Sequence, residues 1–237
     1  MHYDIIAAGE GSRLLREGAG KPKPLIEIEG KPMIQRLMDI FRDAGAESIS
    51  IIVNEEMKEV QQFVKALAAD YPVPVRLTIK STPSSMHSFH EVCKLIGKEG
   101  RFIVTTVDTI FKPADFRRYA EAFADAEASV DGMMAITDFV DDEKPLWVET
   151  ADNGDIVNFR DEPWSEARYV SGGIYGLDGS AIEVLDDCME RGVSRMRNFQ
   201  RALVGAGLHL KGYPMGKILD IDHVGDIEKA EAFLKEK

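Results

Sequence analysis

A chain of 237 residues with 44% hydrophobic and 30% charged residues holds enough apolar material for one sizeable core, which fits a single domain and argues against disorder. Its 29 basic and 41 acidic side chains give a net charge of −12, which repels nucleic acid and anionic membrane surfaces unless a basic cluster intervenes, and the sequence contains none. Two scattered cysteines, Cys93 and Cys188, make neither a disulfide framework nor a zinc ligand set, and the N-terminus enters a strand pattern without a basic leader. No apolar run approaches the ~18 residues of a membrane span, so a cytoplasmic protein without nucleic-acid or membrane partners is expected; a homo-oligomer stays open.

The first half alternates strands and helices. Ile5 to Ala8 is a short apolar run leading into a glycine-rich segment, the pattern of a buried parallel strand and its turn. Ile34, Leu37, Met38 and Phe41 recur at helical spacing, with Gly45 as the C-terminal cap. Ile49 to Val53 reads as a strand, and Val60, Phe63, Val64 and Leu67 as a helix. Val73, Val75, Leu77 and Ile79 alternate as a third strand. A helix over Phe89 to Ile96, a strand over Phe102 to Val107 and a helix over Asp115 to Ala128 follow. After residue 129 strands dominate: Met133 to Ile136, Leu146 to Thr150, Ile156 to Phe159 and Tyr169 to Leu177, with Asn153-Gly154 as a hairpin turn. Helices return at Ala181 to Arg191, Met196 to Ala206 and Asp226 to Lys235. The expected fold is α/β, a mostly parallel, Rossmann-like sheet with helices on both faces and a small strand-rich extension. The whole of 1–237 reads as one domain, with a first half, 1–128, of strand–helix alternation and a second, strand-rich half, 129–237.

Three constellations carry chemistry. Ala7-Ala8-Gly9-Glu10-Gly11-Ser12-Arg13-Leu14, with Lys21-Pro22-Lys23-Pro24-Leu25 after it, sets glycines behind a strand so that backbone amides face a triphosphate, while Arg13 and Lys23 neutralise its charge. An ordinary glycine-rich turn is the bland alternative. A dinucleotide fingerprint fails at Leu14 and a Walker loop fails at Pro22. The second constellation is the apolar strand ending in Asp108, a carboxylate at the strand end where ligands of open parallel sheets bind, and a hard oxygen ligand suited to Mg²⁺. Its alternative is a cap for the helix near Pro113. The third is Leu219-Asp220-Ile221-Asp222, whose period-two spacing puts both carboxylates on one side of an extended segment; Asp226 reads as the N-terminal cap of the last helix.

The strand-Gly9-x-Gly11-Ser12-Arg13-Leu14 motif, with Pro22-Lys23-Pro24-Leu25 and Gly30-Lys31-Pro32-Met33-Ile34, resembles the start of the nucleotide-sugar pyrophosphorylase family of nucleotidyltransferases. Gly154 to Phe159 and Val170 to Tyr175 extend the likeness into the second half. The resemblance implies nucleotide contacts from Ala7, Ala8, Gly9, Gly11, Ser12, Arg13, Lys23 and Ser85, with Arg13 and Lys23 catalytic. It implies a magnesium ion on Asp108 with Asp220 or Asp222, and an acceptor passing close to Gly173. Two departures stand out. Asp161-Glu162-Pro163 replaces the Glu-Lys-Pro that supplies an acceptor-phosphate lysine, with Glu143-Lys144-Pro145 read as a coincidence. Ser81 to Ser88 resembles phosphocholine-type cytidylyltransferases instead. His87 and His90 lie one helical turn apart but lack a third zinc ligand. Trp147 and Trp164 read as core residues, with a pocket wall as the alternative.

The activity expected from this resemblance is Mg²⁺-dependent transfer of a nucleoside monophosphate from a nucleoside triphosphate, CTP or UTP, to a sugar 1-phosphate or other small phosphorylated acceptor. A non-catalytic nucleotide-sensing or scaffolding module is the alternative.

Overall fold

The structure, a computed structural model, describes residues 1–96 and 100–236. In chain order its elements are β1 (His2–Ala7), α1 (Ser12–Arg16), a 3₁₀ turn (Lys23–Leu25), β2 (Glu27–Ile28), β3 (Lys31–Pro32), α2 (Met33–Asp43), β4 (Ser48–Val53), α3 (Lys58–Ala69), β5 (Val75–Ile79), α4 (Ser85–Cys93), β6 (Phe102–Thr106), β7 (Thr109–Ile110) and α5 (Pro113–Ala124). The second half adds β8 (Gly132–Thr137), β9 (Trp147–Thr150), β10 (Ile156–Arg160), β11 (Tyr169–Leu177), α6 (Gly179–Glu190), α7 (Met196–Gly205), β12 (Leu210–Pro214), β13 (Leu219–Asp220) and α8 (Val224–Lys235).

The main sheet runs β12-β8-β11-β6-β1-β4-β5. β6, β1, β4 and β5 are mutually parallel, β12 is parallel to β8, and β11 is antiparallel to both β8 and β6. β11 is long enough to change partner: Ile174–Leu177 pair with β6, while Tyr169 and Val170 pair with β9 of the β9–β10 hairpin. That hairpin is the extension beyond the parallel core. It turns where Asn153-Gly154 predicts, with Gly154 at φ 83°.

Period-two alternation along β1 builds two cores. Tyr3, Ile5 and Ala7 face α2, α3, α5 and α8, whereas Ile6 and the following Ala8 face α4, α6 and α7. The first core centres on Tyr3, Phe41 and Phe116, whose ring centroids lie 4.9–5.7 Å apart. Each such burial contributes about 2–3 kcal/mol. Among the described residues no helix is long and apolar enough to cross a membrane.

Several boundaries differ from the sequence reading. The helix expected over 89–96 is Ser85–Cys93, and that over 115–128 is Pro113–Ala124. The third strand begins at Val75, not Val73. α8 begins at Val224, so Asp226 is not its N-cap; it sits one turn in and accepts the amides of Asp222 and His223.

Candidate active site

A cleft of about 970 Å³ opens at the carboxyl ends of β1, β4 and β6, where parallel strands leave their terminal residues facing solvent. The glycine loop after β1 forms one wall. Gly11 adopts φ 60°, and a Cβ there would lie 2.8 Å from Cβ of Lys23, so only glycine lets the loop close over the lysine stem. α1 begins immediately afterwards and aims Ser12 and Arg13 into the cleft. The opposite wall is Ser81–Ser85 and Ser88. Asn54, buried at the end of β4, ties the walls together: its amide donates to the Ala8 carbonyl at 3.1 Å and its oxygen accepts from Ser81 at 2.8 Å.

The charges converge at the mouth. The Lys23 ammonium, nearly buried, lies 2.5 Å from Asp108 Oδ2 and 2.9 Å from Asp222 Oδ1, and the Arg13 guanidinium lies 3.1 Å from Asp222 Oδ2. Burial pushes the Asp108 carboxyl up, but the adjacent ammonium and hydrogen bonds from Thr106 and its own amide outweigh it and hold the group ionised. The same competition runs at Lys23, where burial disfavours the charge and the two carboxylates restore it. Asp220 is pushed the other way, by its packed surroundings first and then by Asp108 and Asp222.

A second cavity of about 290 Å³ adjoins the first, and Arg13 and Asp222 belong to the walls of both. Its lining includes Phe139, Asp141, Asp142, Glu143, Pro145, Ser171, Gly172, Asp220, His223 and Lys229. β13 pairs with β7, Asp220 opposite Thr109, and the Ile221 amide donates to the Asp108 carbonyl at 3.1 Å. This small ladder brings residues more than a hundred positions apart to one mouth.

Most of the residues singled out in the sequence therefore meet here: Ala8, Gly9, Gly11, Ser12, Arg13, Lys23, Ser85, Asp108 and Asp222 line the large cleft, and Asp220 the small one. Two do not. Ala7 is paired with Val53 in the sheet and its methyl group packs into the core, so it stands behind the wall. Gly173, at φ 73°, turns onto Thr109 and Thr106, leaving Ser171 and Gly172 to line the small cavity. Asp108 does not cap the helix near Pro113, whose N-cap is Lys112. Glu143 and Pro145, set aside as coincidental, line the small cavity; Glu162 is exposed and lines neither. Trp147 and Trp164 are half-buried outside both cavities, with Arg160 over the Trp164 ring. His87 bonds Ser84, and His90 faces Asp186, so each imidazole has its own partner. Sequence reasoning missed Asn54, Glu17 and His223. Asn54 was findable, because it follows an apolar parallel strand just as Asp108 does.

Residues 5–151, more than half of the chain, match the model of the MobA-like NTP transferase domain. Over 97% of this chain there is 25% identity to the bifunctional protein GlmU of Methanococcus maripaludis, of which the chain covers 53%, so it spans about half the length of that relative. The 3-deoxy-manno-octulosonate cytidylyltransferase of Aeromonas hydrophila is 24% identical, with 90% of this chain and 92% of that protein covered. The inositol-1-phosphate CTP transferase of T. maritima superposes with a TM-score of 0.80 at 18% identity, covering 99% of this chain and 96% of that one, a likeness of fold. With its glycine loop, its sheet order and the matched domain model in agreement, this chain belongs to the MobA-like NTP transferase family.

Proposed function

We propose that the chain transfers a nucleoside monophosphate from CTP or UTP to a small phosphorylated acceptor, a sugar 1-phosphate or a related phosphoester, and releases pyrophosphate. The observation that carries this reading is the position of Arg13, Lys23, Asp108 and Asp222 at the junction of a large and a small cavity, one sized for a nucleoside triphosphate and the other for a compact acceptor. The cytidylyltransferase relatives and the Ser81–Ser88 wall favour a pyrimidine nucleotide.

An acceptor phosphate oxygen attacks the α-phosphorus; a new P–O bond forms as the bond to the β-phosphate oxygen breaks, and the electron pair leaves with pyrophosphate. The attacking oxygen is already ionised at neutral pH, so no general base is required. Catalysis rests on alignment and charge. The loop amides around Gly9 and Gly11 and the Arg13 guanidinium hold the triphosphate, and Lys23 moves its ammonium from the carboxylates toward the departing phosphates. Asp108 with Asp220 or Asp222 fits Mg²⁺: all are hard oxygen donors, and the space between Asp108 and Asp222 already accepts a cation in the form of the Lys23 ammonium. Among the described residues no group of three His, Cys, Asp or Glu side chains is gathered to hold a metal ion. When bound there, the ion would neutralise the α-phosphate charge.

The test is pyrophosphate release with CTP, UTP, ATP and GTP against a panel of sugar 1-phosphates and alcohol phosphomonoesters. Release with CTP or UTP is expected. Tight nucleotide binding without release for any acceptor would favour the sensing-module alternative.

A further inference from the structure

Glu17 belongs to neither cavity, yet it makes the closest connection between the phosphate loop and the C-terminal helix. Its Oε2 accepts the Val224 amide at 2.8 Å, and its Oε1 accepts from His223 Nδ1 at 2.6 Å. Val224 is the first residue of α8, where an amide lacks an intrahelical partner and the helix end favours a negative charge. Asp222, the residue before His223, holds the same loop a second time through Arg13 at 3.1 Å. Asp226 then fixes the backbone between the two attachments by accepting the Asp222 and His223 amides. At the loop end, Glu17 closes α1: its amide donates to Arg13 O, and Gly18 and Ala19 donate to Leu15 and Leu14.

Two points of attachment, separated by one turn of α1 and by one or two residues around Asp222, restrain rotation as well as distance. An exposed Glu–His pair adds little to global stability. Its consequence is positional. Gly11 and Ser12 line only the large cavity and His223 only the small one, so the attachment joins a wall of each.

We propose that Glu17 is a positioning residue that locks the phosphate loop to the Asp220–Asp222 segment through His223 and the Val224 amide, so that the nucleotide side and the acceptor side move as one body. The lock itself rests on geometry alone; its effect on turnover rests on the proposed nucleotidyl transfer.

The experiment compares the full chain with Glu17→Ala, Glu17→Gln and His223→Ala by hydrogen exchange without ligand. In Glu17→Ala, peptides covering 220–226 exchange about tenfold faster, and in His223→Ala those covering 12–18 do, with apo melting nearly unchanged. Glu17→Gln, which keeps an acceptor for the Val224 amide and a donor for the imidazole, exchanges within about threefold of the parent chain. Faster exchange confined to Val224, or none at all, overturns the lock, whichever nucleotide the protein binds. Kinetics then separate the two claims. Glu17→Ala is expected to lower kcat about tenfold while the nucleotide Kd changes less than threefold, and Glu17→Gln to restore kcat. A parent chain that releases no pyrophosphate overturns the function and leaves the exchange result standing; an equal loss in Glu17→Ala and Glu17→Gln overturns the positioning role.

Discussion

Lys23 meets Asp108 and Asp222 in a nearly buried position, where the ammonium and the Asp108 carboxylate hold each other charged against the cost of burial. Lys23→Ala is expected to reduce pyrophosphate release by about 10² or more, the scale of one preorganised charge stabiliser, with little loss of secondary structure by circular dichroism. Unchanged turnover at saturating nucleotide would remove the lysine from the mechanism. Gly11 tests the loop itself: Gly11→Ala forces a side chain into a left-handed conformation and against the Lys23 stem, so a loss of about 1–2 kcal/mol in urea unfolding should accompany weaker nucleotide binding by calorimetry. A variant with parental affinity would show that the loop relaxes freely. Arg13, Lys23, Asp108 and Asp222 were legible because each follows a strand or a glycine turn in a recognisable motif. Glu17 and His223 were not, because a lone charged residue in a short loop carries no pattern, and its partner is more than 200 positions away.

At the scale of elements, hydrophobic spacing located the long helices but misplaced their ends. α5 shows why. Its apolar face continues the pattern, yet the helix stops at Ala124, where Arg101 takes carbonyls within the last turn and beyond it, donating to Phe123 at 2.7 Å, Ala126 at 2.8 Å and Glu127 at 2.6 Å. The guanidinium also lies 5.0 Å over the Phe123 ring. Arg101→Ala leaves those carbonyls without their charged donor, and a loss of about 2–3 kcal/mol is expected in urea unfolding with an unchanged m-value. A change below about 0.5 kcal/mol would mean that water replaces the guanidinium. The short pairs β2–β3 and β7–β13 escaped the sequence reading because two-residue strands have no periodicity, although β7–β13 is the pair that seats Asp220 beside Asp108. β12 was not among the expected strands; it pairs with β8 at the sheet edge, where a strand tolerates its Gly212 and Pro214.

For the molecule as a whole, the amino ends of the strands carry a charge that the active-site end does not explain. Asp4 is 0% exposed, its Oδ1 accepting from His2 at 3.1 Å and its Oδ2 without a hydrogen-bond partner among the described residues; burial raises its pKa to about 6, partly offset by His2. A raised folded-state pKa means that the native protein holds the proton more tightly than the unfolded chain, so this contribution is complete below about pH 4 and is lost as pH rises through about 6. Relative to Asp4→Asn, the parent chain should therefore lose roughly 2–3 kcal/mol of stability between pH 4 and 7.5, measured by urea unfolding at matched ionic strength. Parallel pH profiles for the two proteins would show that Asp4 does not titrate differently on folding. The sequence by itself determined the strand and helix alternation, the sheet type and the motif residues of the loop, because periodicity and glycine placement act over a few residues at a time. That Ala7 packs into the core, that Gly173 belongs to neither cavity wall, that Lys23 stands between Asp108 and Asp222 and that Glu17 reaches His223 came only from the folded arrangement. Those outcomes depend on where distant segments lie in space, which sheet order, β-bulges and charge pairing settle together after the chain has closed on itself.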